Sequence, residues 1–136
     1  MADVLTPEQR SFNMSRIRAK DTSPELLVRH MLRSLGYSYR LHVRSLPGRP
    51  DIVLRKHGAV IFVHGCFWHM HSCRFGRVVP KTNAEFWQQK RLGNVKRDRQ
   101  HMRALRKAWS VLTVWECETR DEARLTARLR KFLGAL

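Results

Sequence analysis

Ten residues, His64 to Cys73, hold three histidines and two cysteines. That density of nitrogen and sulfur donors is the chemistry of zinc, which in structural sites takes four such ligands in a tetrahedron. Cys66, Cys73 and the distant Cys117 supply three of them. One histidine has to complete the set, and spacing alone leaves His69 and His71 both open. Whichever is left over is free to move a proton. The plain alternative is three unrelated thiols packed as small hydrophobes. Three cysteines are too few, and odd in number, for a disulfide framework.

A second constellation comes from two short apolar runs, Asp51–Leu54 and Ala59–His64, joined by the basic turn Arg55-Lys56-His57-Gly58. They read as an antiparallel hairpin. Asp51 begins one run and His64 ends the other, so a carboxylate and an imidazole are expected to converge. The carboxylate could hold Mg²⁺ and the imidazole could take a proton from an attacking water. Taken singly, Asp51 also reads as a turn carboxylate after Pro50, and His64 as a hydrogen-bonded strand end.

Around these groups lie aromatic pairs and basic side chains. Phe67-Trp68 sits inside the cluster and Phe86-Trp87 near the start of a polar helix. Exposed aromatics on a basic protein suit stacking on bases or wedging between them, although at least one of the four is expected in the core. Lys90, Asn94 and Asp98 recur at i, i+4 and i+8 and share a helix face, which could simply be solvated. Arg91, Lys96, Arg97, Arg99 and Arg103, with Arg124, Arg128 and Arg130, read as phosphate contacts.

The elements that must position these residues follow from pattern. Residues 7–18 are read as a short basic helix carrying Met14 and Ile17. Thr22 and Glu25 form a capping box with Pro24 in the first turn, which gives Glu25 a structural role. Leu27, Val28, Met31, Leu32 and Leu35 then share a face until Gly36. After the turn 46–50 and the hairpin, residues 65–82 look irregular. A helix is expected over 84–108, weakened by Gly93, then a third strand over 110–116 and a closing helix over 123–133. Strand, helix, strand is a crossover, so 59–64 and 110–116 should lie parallel and adjacent. Cys66 and Cys117 then meet just past the same sheet edge.

The chain has 136 residues, which fits one domain, and carries 27 Lys and Arg against 11 Asp and Glu, a net charge of +16. A polyanion is the natural partner of such a chain, since neutralising phosphates releases counterions. The longest strictly apolar run, Ala59–Val63, is far short of the roughly 20 residues that cross a bilayer. Residues 1–10 show no secretory signal, and no lipid anchor or bulky amphipathic helix is evident. A soluble intracellular protein is expected.

The chain closely resembles the very-short-patch repair (Vsr) endonucleases. The matching stretches are Asn13-Met14-Ser15, Lys20-Asp21-Thr22, Leu46-Pro47-Gly48-Arg49-Pro50-Asp51, Ile61 to Cys73, Glu85-Phe86-Trp87, Asn94, Arg97-Asp98 and Val114-Trp115-Glu116-Cys117. They run in order from about residue 10 to 133. The resemblance implies an α/β fold, a restriction-endonuclease-like mixed sheet flanked by helices with a structural zinc site. It treats 1–136 as one domain, with 1–22 as a DNA-contacting segment. The implied activity is Mg²⁺-dependent nicking of one strand of double-stranded DNA beside a T:G mismatch left by 5-methylcytosine deamination.

The resemblance also assigns residues. Asp51 would bind Mg²⁺ with the backbone carbonyl of Val63, and Glu25 would hold metal-bound water. His69 would be the general base, and His64 would act beside the scissile phosphate, oriented by Asp98. Zinc would be held by Cys66, His71, Cys73 and Cys117. Phe67, Trp68 and Trp87 would intercalate from the major groove, Met14 would wedge from the minor groove, and Lys90 and Asn94 would contact the mismatched bases. It implies a monomer in the bacterial cytoplasm, with mismatch-repair proteins of the MutL type and a repair polymerase as partners.

Met70 and Ser72 interrupt a histidine-rich run seen in some members, but neither is an implied ligand. Val63 replaces a hydroxyl residue where only the carbonyl matters. A rival of another class is a non-catalytic zinc-containing DNA-binding protein, for which Asp51, His69 and Glu25 together would have no use. A third reading is a related nuclease with a different mismatch or sequence trigger.

Overall fold

The computed structural model describes residues 22–74 and 76–134. The basic helix expected over 7–18, with Met14 and Ile17, lies outside the described residues.

Helix α1 (Ser23–Ser34) begins at Thr22, whose hydroxyl accepts the Glu25 N–H at 3.4 Å. The reciprocal half of the capping box is replaced, because the Glu25 carboxylate turns to Arg29 and His42. Val28, Met31 and Leu32 fill the buried face. Gly36, at φ +87°, closes the helix: its N–H donates to the Arg33 carbonyl and the Tyr37 N–H to Leu32. A left-handed residue at this position favours glycine.

Four strands follow in spatial order: β1 (Arg40–Leu41), β2 (Ile52–Leu54), β3 (Ala59–His64) and β4 (Ser110–Trp115). The first three are antiparallel neighbours, and β3 pairs β4 in parallel, His64 lying opposite Trp115. The hairpin and the parallel crossover are as expected. β1 was not, since two residues carry no readable alternation. The hairpin turn is a 3₁₀ turn, Arg55–His57, closed by Gly58 at φ +59°.

Helix α2 (Ala84–Leu105) links β3 to β4, and α3 (Glu122–Gly134) closes the described chain. α2 stops three residues before the expected end, because the Ala108 N–H tightens onto the Leu105 carbonyl and the Ser110 N–H leaves for the Gly58 carbonyl at the start of β4. Likewise β4 yields after Trp115 to a 3₁₀ segment, Glu116–Arg120, that carries Cys117.

The sheet is covered on both faces. Ile52, Leu54, Ile61, Leu112 and Val114 pack with Val28 and Leu32 of α1 and Leu125, Leu129 and Leu133 of α3. Val53, Val60 and Phe62 pack on the opposite side with Leu105 of α2. Burial on both faces is why β2 and β3 read as continuous apolar runs. No described helix is long and apolar enough to cross a membrane.

Candidate active site

Because β3 and β4 run parallel, their carboxyl ends open at one edge, and the chemistry-bearing residues gather there. Cys66, His71, Cys73 and Cys117 each bring one donor atom to within 4.8 Å of the others. The Cys117 N–H donates to Cys66 Sγ at 3.4 Å, and Cys117 Sγ lies 3.5 Å from His71 Nδ1. The His71 ring stacks on Trp115, centroids 4.2 Å apart. His69 is not in this group. Three sulfurs and one imidazole are the donor set zinc prefers. Burial pushes the Cys66 thiol up to about 12, opposed by the Cys117 N–H, and that of Cys117 upward too, opposed by the Cys66 thiol and helped by Cys73. A bound cation would reverse both directions, since it favours the thiolate.

His69 has a different partner. Its Nδ1 lies 2.5 Å from Asp98 Oδ2, a carboxylate delivered by α2. With Nδ1–H donated to Asp98, the tautomer is fixed and Nε2 carries the lone pair. This corrects the expectation that Asp98 orients His64. His64 instead stacks on His69, rings 3.8 Å apart and 5° from coplanar. Burial lowers its pKa to about 4, assisted by the His69 charge and opposed by Asp98. Its Nδ1 is buried with no hydrogen-bond partner among the described residues.

At the hairpin ends Asp51 and His64 have different partners: His64 groups with His69 and Asp98, Asp51 with Glu25 and His42. Asp51 Oδ2 accepts the Val63 N–H at 2.7 Å, and the groups sharing its site are Glu25 and His42. Burial raises the Asp51 pKa to about 7; the Val63 N–H opposes the rise, and the Glu25 carboxylate adds to it. A carboxylate that shares its site with another is disfavoured in its charged form. Glu25 is buried, ion-paired to Arg29, with His42 Nε2 at 3.0 and 3.1 Å from its two oxygens. His42 is the residue that sequence reasoning missed. Its signal was the pairing of β1 with β2, which continues in the His42 N–H to Asp51 carbonyl bond of 3.1 Å.

The aromatic residues form one cluster. Trp68 and Trp87 meet edge to face at 5.6 Å, Phe67 contacts both, and Phe86 abuts Trp87. None of the four is buried, and Phe86 is 57% exposed, so the expectation of a core member fails. The reason is that α2 packs here on an irregular loop rather than on the sheet. Lys90 Nζ sits over both Trp68 and Trp87. Asn94 Nδ2 donates to the Trp68 carbonyl at 2.9 Å. The Lys90–Asn94–Asp98 face thus grips the loop instead of being merely solvated.

Arg91 is a further correction. Expected as a phosphate contact, it is 1% exposed, and its guanidinium donates to the carbonyls of Phe67, Val78 and Gly76 while covering the Phe67 ring. It is a staple for the loop.

A proton acceptor oriented by a carboxylate, beside a second carboxylate pair and under a rim of aromatic and basic side chains, is suited to hydrolysing a nucleic-acid backbone. The class is that of a nuclease. The family model for DNA mismatch endonuclease Vsr matches residues 2–75. Type II nicking enzyme V.XorIIP of Xanthomonas oryzae pv. oryzae is 47% identical over 98% of both chains. DNA mismatch endonuclease Vsr of Escherichia coli is 45% identical, over 93% of this chain and 81% of that one. Type II nicking enzyme V.NmeAIP of Neisseria meningitidis is 42% identical over 98% of this chain and 95% of its own length. The chain belongs to the Vsr family of DNA mismatch endonucleases and is an endonuclease acting on DNA.

Proposed function

We propose that this endonuclease nicks one strand of duplex DNA beside a T:G mismatch, in a reaction that requires Mg²⁺. The observation carrying the reading is the pairing of His69 Nδ1 with Asp98, at the sheet edge where Glu25 and Asp51 share a second site. A hard divalent cation fits the second site, because donor atoms of two carboxylates and an imidazole lie within 4.8 Å of one another there, and burial with the neighbouring Glu25 carboxylate holds the Asp51 pKa up at about 7. Asp51 and Glu25 would hold Mg²⁺ together with the Val63 carbonyl. When bound, the ion polarises the phosphate and lowers the pKa of water.

The remaining steps belong to the chain. His69 Nε2 takes the proton of the attacking water, and the Asp98 carboxylate stabilises the imidazolium that forms. His64, kept neutral by burial, adds no second positive charge against it and offers a hydrogen bond beside the phosphate. Cys66, His71, Cys73 and Cys117 hold a structural Zn²⁺ that ties the loop bearing His69 to the end of β4. The relatives named for mismatches and for nicking support both elements of the substrate reading. Unstacking a base step is least costly where the pair is already mismatched, so Phe67, Trp68 and Trp87 enter there preferentially. Lys90 contacts the exposed bases, and Asn94, through its bond to Trp68, keeps the wedge in place. A repair polymerase extending the nick is the partner this product calls for.

The test uses duplexes labelled on either strand, carrying each mismatch in randomised flanking sequence, with Mg²⁺ or with chelator. Cutting of one strand, at T:G, only with metal is expected. Equal cutting of matched duplex, or cutting in chelator, would overturn the reading.

A further inference from the structure

Glu25, His42 and Asp51 reach one point from three directions: α1, the residue after β1, and the residue before β2. The delivery of His42 is unusual. It holds φ +48°, a left-handed conformation uncommon for a residue with a side chain. Such conformations cluster where function over-determines the backbone. The turn lets its N–H pair with the Asp51 carbonyl while its ring swings onto the carboxylate of Glu25. Glu25 already has the Arg29 guanidinium as counter-ion, so the imidazole is not needed to neutralise it. The groups facing His42 are therefore Arg29, Glu25 and Asp51, and its Nε2 shares with two carboxylates the space a cation would take.

We propose that His42 is a nitrogen donor of this metal centre and gives the chain a preference for Mn²⁺ over Mg²⁺. The inference rests on the reading that Glu25 and Asp51 hold a divalent cation. Mg²⁺ takes oxygen donors and keeps several waters; Mn²⁺ shares that preference for oxygen but, as the weakest-binding member of the first-row transition series, also accepts an imidazole among its oxygen donors. An oxygen-only pair would favour no such exchange. Mn²⁺ also suits the experiment, because it competes poorly for the thiolates of the zinc cluster.

The test reads metal binding rather than cutting, on full-length, zinc-loaded protein. Mn²⁺ binding is followed by electron paramagnetic resonance, with nitrogen modulation detected by pulsed methods, and Mg²⁺ affinity by competition. Wild type should show a nitrogen coupling. His42→Gln and His42→Asn should lose it, with Mn²⁺ affinity falling by at least the roughly ten- to hundredfold that loss of a mere hydrogen-bonding partner of a ligand costs. Mg²⁺ affinity should change much less. Asparagine tolerates positive φ, so His42→Asn keeps the test valid where His42→Gln perturbs folding, as monitored by circular dichroism. Persistence of the nitrogen coupling, or an equal loss for both ions, would overturn the proposal and leave His42 a hydrogen-bonding support for Glu25. If Asp51→Asn binds Mn²⁺ as tightly as wild type, the fault lies instead with the underlying reading of the site.

Discussion

Replacing Arg91 by methionine keeps an unbranched stem and removes the guanidinium, with its charge and donors. In the folded protein Nε donates to the Phe67 carbonyl at 2.7 Å, one terminal nitrogen to Val78 at 2.8 Å, and the other to Gly76. Hydrogen bonds made by a charged group contribute about 1.5–3 kcal/mol each. Against them stands the cost of burying a guanidinium, several kcal/mol in real proteins. A buried acceptor left without its donor costs about 1–3 kcal/mol, so the loss of three bonds, offset in part by the relieved burial of the charge, should destabilise by several kcal/mol. On a domain stable by about 5–15 kcal/mol that is a large share. Urea unfolding should show the midpoint of Arg91→Met falling by about 1 M or more, at the usual slope of about 1–3 kcal/mol/M. Arg91→Lys should fall in between, as a point charge cannot serve three fixed carbonyls. Salt dependence of DNA binding supplies the control. A lost phosphate contact would flatten the slope of log affinity against log salt by about 0.9, whereas a buried staple leaves it unchanged. Near-wild-type stability together with a flattened slope would refute the reasoning and return Arg91 to the DNA surface.

Elemental analysis should find one zinc per chain, and Cys117→Ala should lose it and unfold at lower denaturant, since structural zinc sites contribute about 10–16 kcal/mol of apparent folding energy in small modules; a folded, active, zinc-free preparation would contradict this. Trp68→Ala should narrow the preference for T:G over matched duplex without altering the salt dependence of non-specific binding, and equal weakening of both duplexes would reassign Trp68 to general contact surface. Asp51, with its pKa raised to about 7, holds a proton below that pH which a divalent cation must displace. Divalent-ion affinity should therefore rise by up to about tenfold per pH unit toward 7 and level off above it. Calorimetry in buffers of different ionisation heat should detect the released proton, and a flat profile between pH 5.5 and 7 would remove Asp51 from the site.

β2 and β3, buried on both faces, announce themselves as apolar runs, and β4 as an alternating one, so the three strands and their pairing were legible, and with them the meeting of Cys66 and Cys117. The choice between His69 and His71 was not. Both lie within loop reach of the cysteines, and the turn at Met70, φ +52°, decides which ring faces them. The i, i+4, i+8 spacing showed that Lys90, Asn94 and Asp98 share a face, but the histidine Asp98 meets depends on the loop conformation. α2 buries its face against loop carbonyls rather than apolar side chains, so no hydrophobic period marked Arg91 as interior. His42 stayed hidden because a two-residue strand leaves no pattern.

Asp51 and His69 are proposed to perform metal-assisted nicking at a mispaired base. Single-turnover cutting of a strand-labelled T:G duplex in Mg²⁺ tests it most directly, with binding measured on the same samples for wild type, Asp51→Ala and His69→Ala. All three should bind alike. Wild type should cut one strand, Asp51→Ala should not cut, and His69→Ala should cut about 10²–10⁴-fold more slowly, the usual contribution of a positioned general base. Undiminished cutting by either variant would contradict the account.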